Sequence, residues 1–295
     1  MSIIMSMTWK EMLRKRVMLL TLIMTFVFLG AFWFVAGTIG SRGMHQGNAL
    51  ARGEQLLVDF ANGSIILSLG FFFGSFVLAF LAIFSSFSAI SGEAEQGVMQ
   101  ALLPRPLPRW KWYLGRWLGY VTLGVLYALL LFIAILLITE SHASIPNDPQ
   151  AWFTSFLLFA STVPLLITIS MLGSGFFTAL GNGVFMTMLY GAGWLGSMID
   201  KLSSSLKLET EALNSLQMLT GLISLLIPAD GLQRRMLAEL FSLDDMGNLM
   251  NSMGTSMFGL NDFSNLPSNS FVIYAAVYMI VLFLVGMLRF QRKDL

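Results

Sequence analysis

The sequence predicts an all-α polytopic membrane protein with six transmembrane helices. Hydrophobic residues make up 56% of the 295-residue chain and charged residues only 11%, whereas an average soluble domain carries about 25% charged residues. The hydrophobic residues are gathered into runs of about 20, the length that an α-helix needs to cross a hydrocarbon layer roughly 30 Å thick. These two observations indicate that the lipid bilayer surrounds most of the chain.

Six hydrophobic runs lack Asp, Glu, Lys and Arg, and we predict that these runs are the transmembrane helices: 17–40, 63–90, 117–139, 151–172, 183–199 and 270–288. The first run follows basic residues, as a secretory signal does, but its 24 residues exceed the usual signal core of about 7–15, so we expect it to be retained. The uncharged stretch 152–199 is too long for one crossing. Glycine clusters at 173–175 and 181–183 predict the turn within it, with Ser174 as a turn residue.

Residues 1–16 are predicted to form an amphipathic surface helix. One face carries Met5, Trp9, Met12 and Leu13, and charged residues occupy the remainder. Such a helix can lie along the inner membrane surface. The alternative is that this segment is only a charged anchor flanking the first transmembrane helix.

A long segment, 200–269, separates the fifth and sixth predicted spans. Its apolar part, 212–227, contains Asn214 and Gln217 and ends at Pro228, so we interpret it as an interfacial or re-entrant helix rather than a seventh span. A second helix is predicted over 230–240, with Asp230 as its N-cap. We therefore expect an external helical segment between helices 5 and 6.

The distribution of basic residues predicts the orientation, because cytoplasmic loops hold an excess of Lys and Arg. With a cytoplasmic N-terminus, eleven of the seventeen Lys and Arg residues lie in cytoplasmic segments and six in external ones. We therefore expect a multi-pass protein of the cell (plasma) membrane with both termini cytoplasmic. Residues 91–116 then form a cytoplasmic loop, and 200–269 is external.

The sequence offers little for catalysis, cofactor binding or metal binding. It has no Cys, its two His residues, His45 and His142, fall in predicted external loops, and it contains no G-x-x-x-x-G-K-[ST] phosphate loop. The net charge of +1 does not indicate a nucleic-acid partner. The predicted spans also lack the ionisable residues that ion-driven transporters keep at membrane depth. We predict no catalytic, cofactor or metal site, and expect the energy for any transport to come from a partner.

The cytoplasmic loop is predicted to begin with a short helix. Ser91 is its expected N-cap, Glu93 and Glu95 lie in the first turn, and Pro104 ends it. The helix has an apolar face made by Val98, Met99, Leu102 and Leu103. An apolar face at the cytoplasmic surface needs lipid or another protein to cover it.

Aromatic and basic residues follow this helix and precede the third span. We interpret them as an interfacial belt that anchors the span: Arg109, Trp110, Lys111, Trp112, Tyr113, Arg116 and Trp117. In the second span, Gly70 and Gly74 have the spacing that lets another helix approach closely. That helix could belong to a second copy in a dimer, or to the same chain through ordinary internal packing.

The loop resembles the one that follows the second helix in ABC-2 type permeases. The likeness rests on Glu93-Ala94-Glu95-Gln96-Gly97, then Leu102, Leu103, Pro106 and Arg109, and the basic and aromatic residues after them. It extends more loosely to the N-terminal helix, the six spans and the external segment. Val98 stands where the family usually has a small hydroxyl residue.

This resemblance implies a function as the permease subunit of an ATP-driven exporter. In the family this loop is a coupling helix that docks into a separate cytoplasmic ATPase, which binds the ATP and Mg. The implied ATPase contact consists of Glu93, Glu95, Gly97, Val98, Met99, Leu102, Leu103 and Pro106. The likeness also implies a dimer with a second permease copy or a homologue, surrounded by membrane lipid. A polytopic scaffold and a lipid-modifying membrane enzyme remain alternatives.

Overall fold

The structure is a computed structural model that describes residues 2–47, 52–95, 108–143, 148–203, 218, 221–241 and 267–292. Within these ranges the regular structure is helical, and no strand occurs. The helices are α1 (Ser2–Arg14), α2 (Arg16–Gly47), α3 (Arg52–Ser86), α4 (Ser91–Glu95), α5 (Arg109–Glu140), α6 (Pro149–Ser174), α7 (Ala179–Ser203), α8 (Ala229–Leu240) and α9 (Asn269–Arg292). The all-helical class is therefore confirmed.

Five helical segments of the described chain are long and hydrophobic enough to cross a membrane: Arg16–Ser41, Asn62–Glu95, Arg109–Glu140, Pro149–Ser174 and Asn269–Arg292. The predicted span 183–199 lies in α7, which is not one of these five. This helix has 25 residues, but Asn182 and five glycines lower its hydropathy. The number of six spans remains a prediction, whereas a multi-pass membrane protein is confirmed.

The core of the bundle is built around α6. About two thirds of its most hydrophobic window is buried inside the protein (67%), against 11% for the windows in α2 and α9. Helices α3, α5, α8 and α9 all pack against α6. Helices α2 and α9 therefore lie at the periphery, where exposed side chains such as Phe26, Phe34 and Val277 suit a hydrocarbon solvent.

Gly70 and Gly74 are used for packing within the chain. A Cβ atom at Gly70 would collide with Phe32 of α2 and Ile135 of α5, and a Cβ at Gly74 would also meet Ile135. The two glycines thus let α3 approach its own neighbours closely. This outcome supports the internal-packing alternative over a dimer contact at these positions.

The N-terminal helix α1 packs on α5 through a second pair of glycines. A Cβ atom at Gly115 would meet Ile4, and one at Gly119 would meet Thr8. The Trp9 indole N–H also donates to the Thr122 hydroxyl at 2.9 Å. Protein contacts therefore hold α1 against the bundle, in addition to any contact that its exposed face makes with lipid.

Residues 221–241 form a helix–turn–helix whose second helix, α8, packs on α6, and whose first helix and turn region contact the first half of α9. Residues 221–226 are helical, and the hydroxyl of Tyr278, the tenth residue of α9, donates to the carbonyl of Leu226 at 2.9 Å. After the turn at Pro228, Gly231 lies against Phe271, the third residue of α9. Between Leu226 and Gly231 the chain therefore moves back by about 10 Å toward the N-terminal end of α9.

The predicted N-cap of this second helix was wrong. The N-cap of α8 is Pro228, whose φ of −73° already suits the start of a helix. Asp230 lies in the first turn instead, and its carboxylate accepts a hydrogen bond at 2.9 Å from Arg234, one turn later. Residues 212–217, 219 and 220 of the predicted interfacial or re-entrant segment 212–227 lie outside the described residues.

Candidate coupling site

A turn separates α3 from α4 and interrupts what would otherwise be one continuous helix. Side chains from α6 and α7 form hydrogen bonds with the backbone at this interruption. Residues 87–90 form turns, so backbone groups there leave the helical hydrogen-bond ladder and need other partners. Asn182 Nδ2 donates to the Phe87 carbonyl at 2.7 Å. The Ser174 hydroxyl accepts from the amides of Ile90 and Ser91, each at 3.0 Å.

The same two side chains tie this interruption to the α6–α7 hairpin. Ser174 is the last residue of α6 and is fully buried. Asn182, in the first turn of α7, also donates to the Ser170 carbonyl at 2.8 Å. A displacement of α4 therefore acts directly on the connection between α6 and α7.

Ser91 does not have the predicted capping role. Its hydroxyl lies 3.0 Å from the Ser174 hydroxyl, and the amide of Ala94, which a cap at Ser91 would bind, donates to the Ile90 carbonyl at 3.1 Å. The turn 87–90 already supplies acceptors to the start of α4, so no side-chain cap is needed there.

A buried ion cluster joins α1, α4 and α5. The Arg116 guanidinium donates through Nη1 to Glu11 and through Nη2 to Glu93. Its side chain is 1% exposed, and the Trp112 and Tyr120 rings lie 5.5 and 5.6 Å from the guanidinium carbon. A charge buried this deeply requires ionic partners, so the cluster fixes the three helices relative to one another.

Glu11 has a second cationic partner at the surface. Lys15 Nζ lies 2.8 Å from its Oε1 atom. Burial acts to raise the pKa of the Glu11 carboxyl, but the hydrogen bonds and charges of Arg116 and Lys15 outweigh it and hold the pKa below the ordinary value of 4.5. Glu11 is therefore an anion at neutral pH and can stabilise the buried guanidinium.

The predicted interfacial belt is mostly part of the protein interior. Trp110 is exposed, but Trp112 is buried and stacks on Phe290 of α9 at 5.1 Å, and Tyr113 is fully buried. The Trp117 indole donates to the Thr168 hydroxyl of α6 at 2.9 Å. The first turns of α5 lie between α1, α6 and α9, so most of these aromatic side chains contact protein instead of the membrane interface.

Of the predicted ATPase-contact residues, the structure describes Glu93 and Glu95, and both have partners within the chain. Only 15% of the Glu93 side chain is exposed, because it binds Arg116. Glu95 is exposed, and its Oε1 atom accepts from the first amide of α7, at Ala179, at 3.0 Å. The remaining residues lie outside the described ranges: Gly97, Val98, Met99, Leu102, Leu103 and Pro106.

The end of α9 reaches the same end of the bundle. The Arg109 guanidinium donates to the Gln291 carbonyl at 3.3 Å, and the Arg289 guanidinium lies over the Phe176 ring of the α6–α7 hairpin, 3.4 Å from its centroid. Helices α1, α4, α5, α6, α7 and α9 therefore meet around the described start of the 91–116 loop. Sequence reasoning missed the roles of Arg116, Ser174 and Asn182, whose partners are distant in the chain.

One protein-family model matches nearly the whole chain. The family model described as ABC-2 family transporter protein matches residues 3–295. A search of the curated proteins finds no match.

Proposed function

This chain belongs to the ABC-2 family of transporter proteins, and from that premise we propose that it is the membrane-spanning permease subunit of an ATP-driven exporter. Two copies, or this chain and a homologue, form the translocation path. Separate cytoplasmic ABC ATPase subunits bind ATP and Mg and supply the energy. The chain itself contributes no residue to hydrolysis, since its sequence has no phosphate loop.

The observation that supports this proposal is the way α4 is attached to the bundle. Glu93 connects α4 to α5 and α1 through Arg116, while Ser174 and the amide of Ala179 connect α4 to α6 and α7. Asn182 of α7 binds the turn that precedes α4. In our proposal the residues that follow α4 dock into the ATPase through Val98, Met99, Leu102 and Leu103. Closure of the ATPases on ATP then displaces α4, and these contacts pass the displacement to four other helices together.

The proposal includes α7 as the sixth transmembrane helix. Its 25 residues span about 37 Å, which is enough to cross the hydrocarbon layer. Both termini are then cytoplasmic, and 200–269 is external. The return of the chain at Pro228, beside α9, supports a re-entrant arrangement for 221–241 within that external segment.

Co-expression with ABC ATPases of the same genome tests the proposal. We expect the purified chain alone to bind no ATP, and to co-purify with one ATPase when the two are produced together. Leu102→Asp is expected to abolish co-purification, because it places a charge on the apolar docking face. Gln150→Asp, a charge at an exposed polar position in the first turn of α6 on the predicted external side, is the matched control and should leave the yield of the complex unchanged. Stoichiometric ATP binding by the chain alone would refute the assignment.

Reporter fusions test the orientation. A reporter that is active only in the cytoplasm is expected to give a signal when fused after Leu295, and no signal when inserted within 200–269. The reason is the excess of Lys and Arg in the predicted cytoplasmic segments. A cytoplasmic signal from within 200–269 together with none after Leu295 would rule out the six-span arrangement, because α7 would then not cross the membrane and α9 would carry the C-terminus outside.

A further inference from the structure

The side of α1 that points away from the bundle differs in part from the apolar face that the sequence predicts. Met12 of the predicted face is buried, and Trp9 packs on the core. Leu13 lies on the outside, where Ile3 and Met7 join it, and between 46% and 82% of the surface of each of these three side chains is exposed. Large apolar side chains exposed together on one helix need lipid or another protein to cover them.

Two cations, Lys10 and Arg14, lie among these apolar side chains. Ile3, Met7, Lys10 and Arg14 stand at intervals of four, three and four residues, which places them on one stripe of an α-helix. Both cations are exposed, and neither has an ionic partner among the residues that the structure describes. We call these four residues and Leu13 the outer face of α1.

No negative charge of α1 offsets these cations. The one carboxylate in Ser2–Arg14, that of Glu11, lies on the opposite side of the helix and binds Arg116 and Lys15. The outer face therefore combines apolar side chains with uncompensated positive charge. Long cationic side chains of this kind lay their stems against lipid and reach the phosphates with their charged ends, so the charge favours an anionic headgroup over a zwitterionic one.

The position of α1 indicates that the partner is the membrane surface. Helix α2 begins at Arg16, a third exposed cation, and the segment Arg16–Ser41 is long and hydrophobic enough to cross a membrane. On its inner side α1 packs on Gly115 and Gly119, in the first half of another such segment, Arg109–Glu140. The helix therefore lies beside the ends of two spans, at the depth of the lipid headgroups.

We propose that the outer face of α1 binds anionic phospholipids of the adjoining leaflet. Lys10 and Arg14 contact the lipid phosphates, and the three apolar side chains enter the upper part of the acyl chains. Each cation near an anionic surface favours binding by a factor of about five. This recognition needs neither ATP nor a partner protein, so it is tested on the chain alone and does not depend on the proposed function.

Fluorescence quenching by labelled lipids tests the proposal on the full chain in lipid nanodiscs. The chain has no Cys, so Ser6→Cys, at an exposed position on the same side of α1, can carry a single fluorophore. The nanodiscs contain equal parts of phosphatidylglycerol and phosphatidylcholine, and a small fraction of one of the two lipids carries a nitroxide near the headgroup end of its acyl chain. We expect labelled phosphatidylglycerol to quench at least about fivefold more strongly than labelled phosphatidylcholine.

Two double variants assign this preference to the outer face. Lys10→Gln combined with Arg14→Gln is expected to lower it at least about fivefold. Both positions are exposed and the ion cluster on the opposite side is unchanged, so this variant should fold. Arg289→Gln combined with Arg292→Gln is the matched control, because it removes two exposed cations from the last turn of α9, and the preference should persist.

Three outcomes would overturn the proposal. Equal quenching by the two labelled lipids would show that the outer face does not recognise headgroup charge. Quenching by neither lipid would show that water or protein covers this face. A preference that persists without Lys10 and Arg14, or that falls as much in the α9 control, would show a general attraction between the chain and anionic lipid.

Discussion

Arg116→Met is expected to lower the stability of the folded chain by about 3–5 kcal/mol, the range for breaking a buried ion pair by removal of one partner. The substitution leaves Glu11 and Glu93 close together without the cation between them. Their mutual repulsion and their burial then both oppose the native packing of α1 and α4 on α5. The loss is measured as a shift of the unfolding transition of the purified chain in denaturant.

A second variant separates the stability lost with the charge of Arg116 from the stability lost with the packing of its side chain. Arg116→Met combined with Glu93→Gln is expected to recover most of the lost stability, because Glu11 keeps Lys15 as its cationic partner at 2.8 Å. The control is Arg14→Gln at an exposed position, where a change within about 0.5 kcal/mol is expected. If Arg116→Met alone unfolds at the same denaturant concentration as the unmodified chain, the cluster does not hold α1 and α4.

The membrane class was predictable from the sequence because the length and charge content of hydrophobic runs depend only on local composition. The segments Pro149–Ser174 and Asn269–Arg292 are examples, since each is apolar over the length of a crossing. The ion cluster was not predictable in this way. Arg116 is 105 residues from Glu11 and 23 from Glu93, and nothing in the local pattern distinguishes it from the neighbouring basic residues.

Contacts between residues that are distant in the chain also explain why the sequence did not predict the roles of several single residues. Ser174 stands in a Gly-Ser-Gly sequence that predicts a turn, and it does end a helix, but its acceptor role depends on amides 83 and 84 residues away. Trp112 and Trp117 have the composition of an interfacial belt, and tertiary packing on Phe290 and Thr168 decides their position instead. Asp230 has N-cap preference, but Pro228 already begins the helix.

Ser174→Ala is expected to loosen the interruption between α3 and α4. The variant removes the acceptor of two buried amides, at Ile90 and Ser91, and each buried amide left without a partner costs about 1–3 kcal/mol. A loss of about 2 kcal/mol corresponds to roughly thirtyfold faster hydrogen exchange in the peptide that covers 86–91. Hydrogen–deuterium exchange followed by mass spectrometry measures this change without a substrate or a partner.

Ser161→Ala is the matched control, because the Ser161 hydroxyl lies on the same helix and donates only within it, to the Leu158 carbonyl at 2.7 Å. Exchange in 86–91 should not change in this variant. Equal exchange in Ser174→Ala and the unmodified chain would mean that the Ser91 hydroxyl, 3.0 Å away, replaces the lost acceptor. The hydroxyl of Ser174 would then not hold the interruption closed.

The Ser174→Ala variant also separates two steps in the complex with an ATPase. The first is binding of the ATPase to the chain, and the second is the transfer of the ATP-dependent displacement from α4 to α7. Addition of ATP to the unmodified complex is expected to alter exchange both in α4 and in the first turn of α7, since Ser174, Asn182 and Glu95 join them. In Ser174→Ala the ATPase should still bind, because the docking face follows α4, and the ATP-dependent change should remain in α4 and decrease in α7. If the change in α7 is as large in the variant as in the unmodified complex, the displacement reaches α7 by another route, and the ion cluster at Arg116 is the next contact to test.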